Sequence, residues 1–312
     1  MVEPYALLAL AIDAAFGWPA WLYARIGHPV GGFARAIDAA ERAWNAPARS
    51  TARRRTLGTL LLVLLVGTVA AIGWGVQMAL AAWLGRYAWI GTALLAAPAL
   101  AQRSLHQHVR AVRDALATGD PFASRRAVAR IVGRDTARLD TAGVARAAIE
   151  SLAESFCDGI VAPLFWLVLL GLPGIWAYKA INTADSLIGH REPRYAAFGW
   201  ASARTDDGAN WVPARIAGLV LCVAGGGGFA TMRRDARRHA SPNAGWPEAA
   251  LAGVLGIRLA GPIAYDGVTR IKPWIGDGRT TANAADITRA LQVHARACLI
   301  LWAITGVLAW VR

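Results

Sequence analysis

A chain of 312 residues with 56% hydrophobic and only 17% charged positions departs from a soluble domain of this length, where about a quarter of residues carry charge. The apolar excess is gathered into uncharged runs, which identifies an integral membrane protein rather than a soluble fold. The net charge of +13 does not point to nucleic acid, because the arginines border the hydrophobic runs and no aromatic-rich basic RNA-binding motif is present.

In chain order, residues 4–24 are a candidate membrane segment broken by Asp13, and the N-terminus lacks the basic region of a cleavable signal. Residues 25–55 then hold seven arginines against two acids. Residues 56–85 carry no charge and are long enough to cross a hydrocarbon core of about 30 Å. Residues 87–102 follow after a minimal turn at Gly85-Arg86. Residues 103–158, with nine arginines against seven acids, are the longest polar stretch. Their pattern is helical, with a turn at Gly119-Asp120-Pro121 and a helix cap at Asp140-Thr141. The two arginine-rich stretches flank one helical pair, so both lie on one side. The positive-inside rule makes that side cytoplasmic, at the inner membrane, facing anionic lipid.

Residues 159–178 are again uncharged, yet Gly171-Leu-Pro-Gly174 bisects them, and Gly225–Gly228 interrupts 216–232. Irregular backbone at membrane depth is tolerated only where protein covers it or it lines a wet cavity. Residues 159–189 are therefore expected to form a re-entrant helical hairpin; the alternative is one straight span with a loose end. Residues 249–265, broken by Arg258, and residues 297–311 complete a set of four to seven segments, some of them incomplete. The expected fold is all-α: a single membrane-embedded domain over 1–312, polytopic, with interrupted or re-entrant helices and a polar cytoplasmic helical stretch at 103–158. Cys157, Cys222 and Cys298 are odd in number and lie in or beside apolar runs, without a C-x-x-C pair, so they are expected to be buried small hydrophobes.

Three polar constellations can carry chemistry. Glu150, Glu154 and Asp158 recur every four residues and form one stripe of a helix that runs into an uncharged segment. Like charges so spaced repel by a few tenths of a kcal/mol per pair, so either Arg146 one turn earlier or a divalent metal should compensate. A solvated helix face is the plain alternative. In residues 179–191, Asn182, Asp185 and Ser186 are short polar groups on adjacent turns, suited to Mg²⁺. Lys179 there is one of only two lysines in the chain, which hints at a need for a compact ammonium. In residues 204–215, Asp206, Asp207 and Asn210 lie within one helical turn between Arg204 and Arg215. Paired carboxylates with an amide suit Mg²⁺, and arginines fork onto phosphate oxygens. A helix cap would explain one aspartate but not two with Asn210. The turn sequences at 241–246 and 264–267 read as ordinary loops, and no P-loop is present.

Taken together, these motifs resemble the adenosylcobinamide-phosphate synthase (CobD/CbiB) family of cobalamin biosynthesis. The resemblance begins with Asp13, Gly17, Pro19 and His28-Pro29-Val30. It continues through Val132-Gly-Arg-Asp-Thr136, Arg146-Ala-Ala-Ile-Glu-Ser-Leu-Ala-Glu154, Asp158-Gly-Ile-Val-Ala-Pro-Leu-Phe-Trp166 and Lys179-Ala-Ile-Asn-Thr-Ala-Asp-Ser186. Asp206-Asp207 with Asn210, Pro213-Ala-Arg215 and Ser241-Pro-Asn-Ala-Gly-Trp246 complete it, over about residues 5–270. Ser155 and Leu187 depart from the family, which usually has Asn and Met there.

The resemblance implies an ATP-dependent amide ligase. It would join aminopropanol, or its O-phosphate, to the propionate carboxylate of adenosylcobyric acid, with Mg²⁺ and ATP taking part. Glu150, Glu154, Lys179 and Asp207 are expected to serve catalysis. His28, Arg134, Arg146, Arg191, Arg204, Arg215, Ser241 and Asn243 are expected to bind substrate or phosphate. Asp158, Asn182, Asp185, Asp206, Asp207 and Asn210 are expected to hold metal, and the choice of base among the carboxylates stays open. The lipid bilayer and other membrane-associated cobalamin-biosynthesis enzymes are the implied partners. Two other classes fit less well. A Mg²⁺-dependent membrane prenyltransferase would share the Asp/Asn motifs but needs a longer, regular set of spans. A corrinoid or small-molecule transporter would centre its polar groups within the apolar runs.

Overall fold

The computed structural model describes residues 4–311 apart from 134, 262, 266–267 and 271–272, and describes only the backbone of 263–265 and 268–270. The chain divides into two compact units: Met1–Ala101, Ala162–Asn210 and Leu308–Arg312 form the first, Gln102–Val161 and Trp211–Val307 the second.

In the first unit, α1 (Tyr5–Phe16), α2 (Ala20–Ile26) and α3 (Pro29–Trp44) precede the long α4 (Thr51–Leu84), and α5 (Ala88–Ala96) follows. The break between α1 and the α2–α3 segment bends the chain by 99°. The Ser50 hydroxyl caps α4 by accepting from the Arg53 N–H at 3.3 Å. The Gly85-Arg86 turn falls where expected, as one turn of 3₁₀ helix over Gly85–Tyr87. The unit's core joins Ile37 of α3, Leu61 and Leu62 of α4, and Phe198 to Ala184 and Ile188 at the end of α9 (Ala162–Ile188). The unit ends in α10 (Trp200–Ala209).

Helix α9 is interrupted in the middle of the segment expected to be a hairpin. Gly171 takes φ 67° and ψ −148°, a conformation outside the helical region that favours glycine, and Pro173 follows it. The backbone N–H of Leu172, freed by the break, donates to Gln77 Oε1 of α4 at 2.9 Å. Gly73 supplies the room: a Cβ there would stand 3.0 Å from the Pro173 Cα. The break brings residues on its two sides close together. The Trp166 carbonyl oxygen lies against Gly174, where a Cβ would come within 2.3 Å of it. Trp166 and Tyr178, on opposite sides of the break, reach the adjacent residues Ala209 and Asn210.

In the second unit, α6 (Gln102–Ala117) and α7 (Pro121–Val128) are separated at the expected turn, with Asp120 capping α7. Asp140 caps α8 (Thr141–Phe156), accepting from the Gly143 N–H at 2.6 Å. Although it belongs to the polar stretch by charge, α8 is largely buried, from Gly143 to Phe156, because its unmarked faces are Ala, Val, Ile and Leu. It continues through a π-helical turn at Cys157–Val161. Then come α11 (Trp211–Gly225), α12 (Phe229–Asp235), α13 (Gly245–Leu255), four short strands and α14 (Ala284–Val311). The glycine run separates α11 from α12, with Gly226 and Gly228 at positive φ. Strand β1 (Leu259–Ala260) pairs antiparallel with β4 (Trp274–Ile275), and β2 (Ile263–Tyr265) with β3 (Val268–Arg270).

The chain is a helical membrane protein: among the described residues three helices are long and apolar enough to cross a bilayer, or up to five if each bent pair is one span. The segment expected over 249–265 is not among them. Helix α13 is only 11 residues long and ends at Gly256 in the left-handed conformation, and the backbone continues as strand. The three cysteines are buried, as expected, and form no disulfide among the described residues.

Candidate functional site

Each unit gathers part of the expected set. His28, Lys179, Asn182, Asp185, Arg191, Arg204, Asp206, Asp207 and Asn210 belong to the first; Arg146, Glu150, Glu154, Asp158, Arg215, Ser241 and Asn243 belong to the second. Arg134 and residues 266–267 of the 264–267 turn lie outside the described residues.

In the first unit, the C-terminal half of α9 and the C-terminal end of α10 bring together two motifs separated by some twenty residues. Tyr178, Asn182 and Asp185 follow one another at helical spacing, so they share a face of α9. Asp206 of α10 is 8% exposed and Asn210 only 2%. Asp206 accepts from Asn182 Nδ2 through Oδ1 at 3.4 Å and from Asn210 Nδ2 through Oδ2 at 3.0 Å. The Tyr178 hydroxyl donates to Asn210 Oδ1 at 3.0 Å, which turns the Asn210 amide group towards Asp206. The charges acting on Asp206 are the carboxylates of Asp185 and Asp207. A buried carboxylate beside like charges and supported only by neutral amides is electrostatically under-compensated.

Around this cluster lie the cations. Arg204 and Arg191 are positive groups close to Asp207. The Lys179 ammonium lies near His28, whose ring caps α3 by accepting from the Val30 N–H at 3.2 Å. The cap gives His28 a structural task that its motif does not announce. Tyr178, 1% exposed, joins the cluster from outside the expected set. Its spacing of one turn before Asn182 was the available signal, but tyrosine is too common in apolar helices to stand out.

In the second unit, the acidic stripe is not a uniform solvated face. Glu150 is half-buried and its Oε1 accepts from the Ala260 N–H at 2.8 Å. Ala260 is held at φ 57°, where alanine is rare. Glu154 is exposed, and Asp158 is half-buried in the π-helical turn. Arg146 donates to the Thr280 carbonyl at 2.6 Å and its guanidinium lies 5.6 Å from the Trp274 ring centroid.

Arg215 is held more tightly. Its guanidinium lies 4.5 Å from the centroid of Trp211 and 4.8 Å from that of Trp246. It donates to Asn243 Oδ1 at 2.9 Å and to the Trp211 carbonyl at 2.6 Å. Ser241 shapes the turn that presents Asn243, its hydroxyl accepting from the Asn243 and Ala244 N–H groups at 3.2 and 3.3 Å. That turn is the loop expected from its sequence, but its Asn243 fixes an arginine, a link that only the fold reveals.

A further buried carboxylate in this unit has a different setting. The Asp235 side chain is 0% exposed, and Arg234 and Arg238 approach it at 2.7 and 3.2 Å. The Gly276 N–H donates to it at 2.9 Å. Arg234 also bridges to Asp277 at 2.8 Å. These arginines hold the Asp235 carboxyl below the ordinary carboxylate range, Arg234 most of all, against the opposing effect of burial.

Among the described residues no three His, Cys, Asp or Glu side chains come together as a metal-binding group. A cation at the α9–α10 cluster would therefore have two carboxylates, Asp185 and Asp206, as its protein ligands, the kind of sparse ligation that Mg²⁺ completes with water and phosphate oxygens.

A family model described as "CobD/Cbib protein" matches residues 6–294. A protein of Rhodobacter capsulatus named Cobalamin biosynthesis protein CobD is 49% identical over 307 residues, covering 97% of this chain and 96% of the relative. Relatives of the same name from Sinorhizobium fredii and Rhizobium meliloti are 46% and 43% identical, over 97% and 95% of this chain and 95% and 93% of their own lengths. No solved structure matches the chain significantly.

Proposed function

From the chain's membership of the CobD/Cbib family, we propose that it is an ATP-dependent amide ligase of cobalamin biosynthesis, acting at the cytoplasmic face of the inner membrane. The reaction joins the propionate carboxylate of adenosylcobyric acid to aminopropanol or its O-phosphate. The observation that carries the assignment of a site is the meeting of Asn182, Asp206 and Asn210 beside the charge of Asp185.

The chemistry explains why such a cluster is useful. A carboxylate does not condense with an ammonium at neutral pH, so an oxygen of the substrate carboxylate must first take the terminal phosphoryl group of ATP, releasing ADP. The amine, having given up a proton to a base, then forms the amide bond as inorganic phosphate leaves. Mg²⁺ bound with ATP would neutralise phosphate charge. Asp185 and Asp206 would hold it, with Asn182 and Asn210 fixing the carboxylate orientation, and Tyr178 fixing Asn210. Lys179, Arg191 and Arg204 supply positive charge for phosphate oxygens. In the second unit, Arg215 offers a planar donor whose orientation two indole rings and Asn243 already determine. Glu150, Glu154 and Asp158 are the carboxylates from which the base for the amine is drawn.

The deciding experiment is mass spectrometry of the purified protein with adenosylcobyric acid, ATP, Mg²⁺ and, in separate reactions, aminopropanol and its O-phosphate. The expected result is a product mass equal to the acid plus amine less water, with ADP formed in equal amount. Retention of unmodified corrinoid with every amine would overturn the proposal. Corrinoid uptake into vesicles without product would favour the transporter, and isoprenoid incorporation the prenyltransferase.

A further inference from the structure

The start of α4 carries a surface that the proposed reaction does not use. A shallow, open groove of about 790 Å³ runs along one face of the helix, lined by Thr51, Ala52, Arg55, Thr56, Thr59, Leu60 and Val63. The lining changes character along the helix axis. Thr51, Arg55, Thr56 and Thr59 form a polar end, and Leu60 and Val63, 44% and 61% exposed, form an apolar one. By helix rise, Val63 lies roughly 12 Å beyond Arg55 along the axis. That is the separation between a phospholipid headgroup and the upper part of its acyl chains.

The polar end is preorganised. The Arg55 guanidinium lies 3.5 Å from the ring centroid of Trp200, itself 40% exposed, so an indole fixes its plane. A stacked arginine keeps its edge donors directed outward and binds phosphate as a fork rather than as a loose charge. Arg53, exposed two residues earlier on another face of α4, adds charge to this end of the helix, and residues 25–55 together hold seven arginines against two acids. The remaining arginine of the run, Arg54, is turned into the protein, donating to Asn45 Oδ1 at 2.6 Å. Tryptophan and arginine beside the entry of an uncharged 56–85 run are placed as interfacial anchors.

We infer that this groove binds an anionic phospholipid of the leaflet in which the arginine-rich end of α4 sits, phosphate on Arg55 and acyl chain along Leu60 and Val63. Charge complementarity selects the anionic headgroup. The polar-to-apolar gradient along a single helix face selects a lipid over a water-soluble anion.

The test is native mass spectrometry of the detergent-solubilised full chain with phosphatidylglycerol or phosphatidylcholine of identical acyl chains, alongside its unfolding temperature in each lipid. Retention of phosphatidylglycerol and a higher unfolding temperature in it are expected. Arg55→Gln should lower its occupancy on the order of 5-fold, the effect of one basic residue at an anionic surface. Arg110→Gln, an exposed arginine of α6, controls for attraction to the overall charge and should change little. Equal retention and equal unfolding temperatures in both lipids for the wild-type chain would overturn the inference whether or not the variant folds. So would equal losses in the two variants, or displacement of the lipid by millimolar inorganic phosphate, which would mark an ion site. A lipid-free species of two chains would assign the groove to a second copy and overturn it as well.

Discussion

Two buried aspartates, one in each unit, show how differently the same side chain can be accommodated. Asp235 is clamped by Arg234, Arg238 and a backbone N–H, so its charge is matched within the protein. Asp206 is nearly as buried, yet it has two carboxamides as partners and two further carboxylates as the charges acting on it. A matched buried charge serves the fold. An unmatched one costs stability and persists where a ligand brings the missing positive charge. Burial alone therefore does not mark a functional carboxylate; the sign of its neighbours does.

The comparison breaks most visibly at Asp206. Asp206→Asn keeps the size but removes the charge, and ligase turnover should fall on the order of 100-fold or more, since changes to groups that merely orient a metal ligand already cost 10–100-fold. The unfolding temperature without ligands should hold or rise, because a buried like charge is gone. Loss of stability with activity per folded molecule intact would reverse the roles assigned to the two aspartates.

Asp235→Asn should do the opposite. It removes charge-assisted hydrogen bonds to arginines that remain half-exposed to water, at a cost of about 2 kcal/mol. Turnover per folded molecule should change little. Thermal unfolding in detergent, with activity normalised to folded protein, measures both.

Acid sharpens the contrast. The arginines depress the Asp235 carboxyl in the folded state, so its stabilising contribution is complete above the unfolded value of about 3.9 and is lost as pH falls through the lower folded value. Between pH 8 and 5 this contribution is constant. Below about pH 4 the stability difference between the wild-type chain and Asp235→Asn should shrink. A difference that narrows between pH 8 and 6 instead would contradict the clamp.

The smallest change in stability belongs to Glu154→Gln on the exposed position of the acidic stripe. Neutralising one member of a repelling row stabilises by a few tenths of a kcal/mol. If the stripe serves the amine, turnover falls while the unfolding temperature holds or rises slightly. An unchanged turnover would leave Glu154 as part of a solvated face and confine the site's carboxylates to 182–210.

Much of this was legible in the residues alone, where the cause is local. Asp120 and Asp140 cap the helices that their positions announce, because a carboxylate reaches the N–H groups only two or three residues ahead. The break at Gly171 follows from a glycine free to leave the helical region and a proline just after it. The uncharged runs mark the membrane helices through the bilayer's fixed thickness. Local signals also misled where a nearby breaker outweighed composition: residues 249–265 are apolar enough to suggest a segment, but Gly256 ends the helix after eleven residues and strand follows.

What only the tertiary structure decided are the pairings between residues distant in the chain. The sequence presents Asn182 and Asp206 as members of two motifs; the packing of α9 against α10 places one against the other and brings Tyr178 to Asn210. Gln77 satisfies the backbone freed at Leu172, and Trp246 and Asn243 fix Arg215, through contacts that no periodicity encodes. Caps, breaks and spans are governed by interactions within a turn or by the thickness of a solvent, so they are written in neighbouring residues. Charge compensation depends on which distant groups share a small buried volume, and that is settled only when the helices pack.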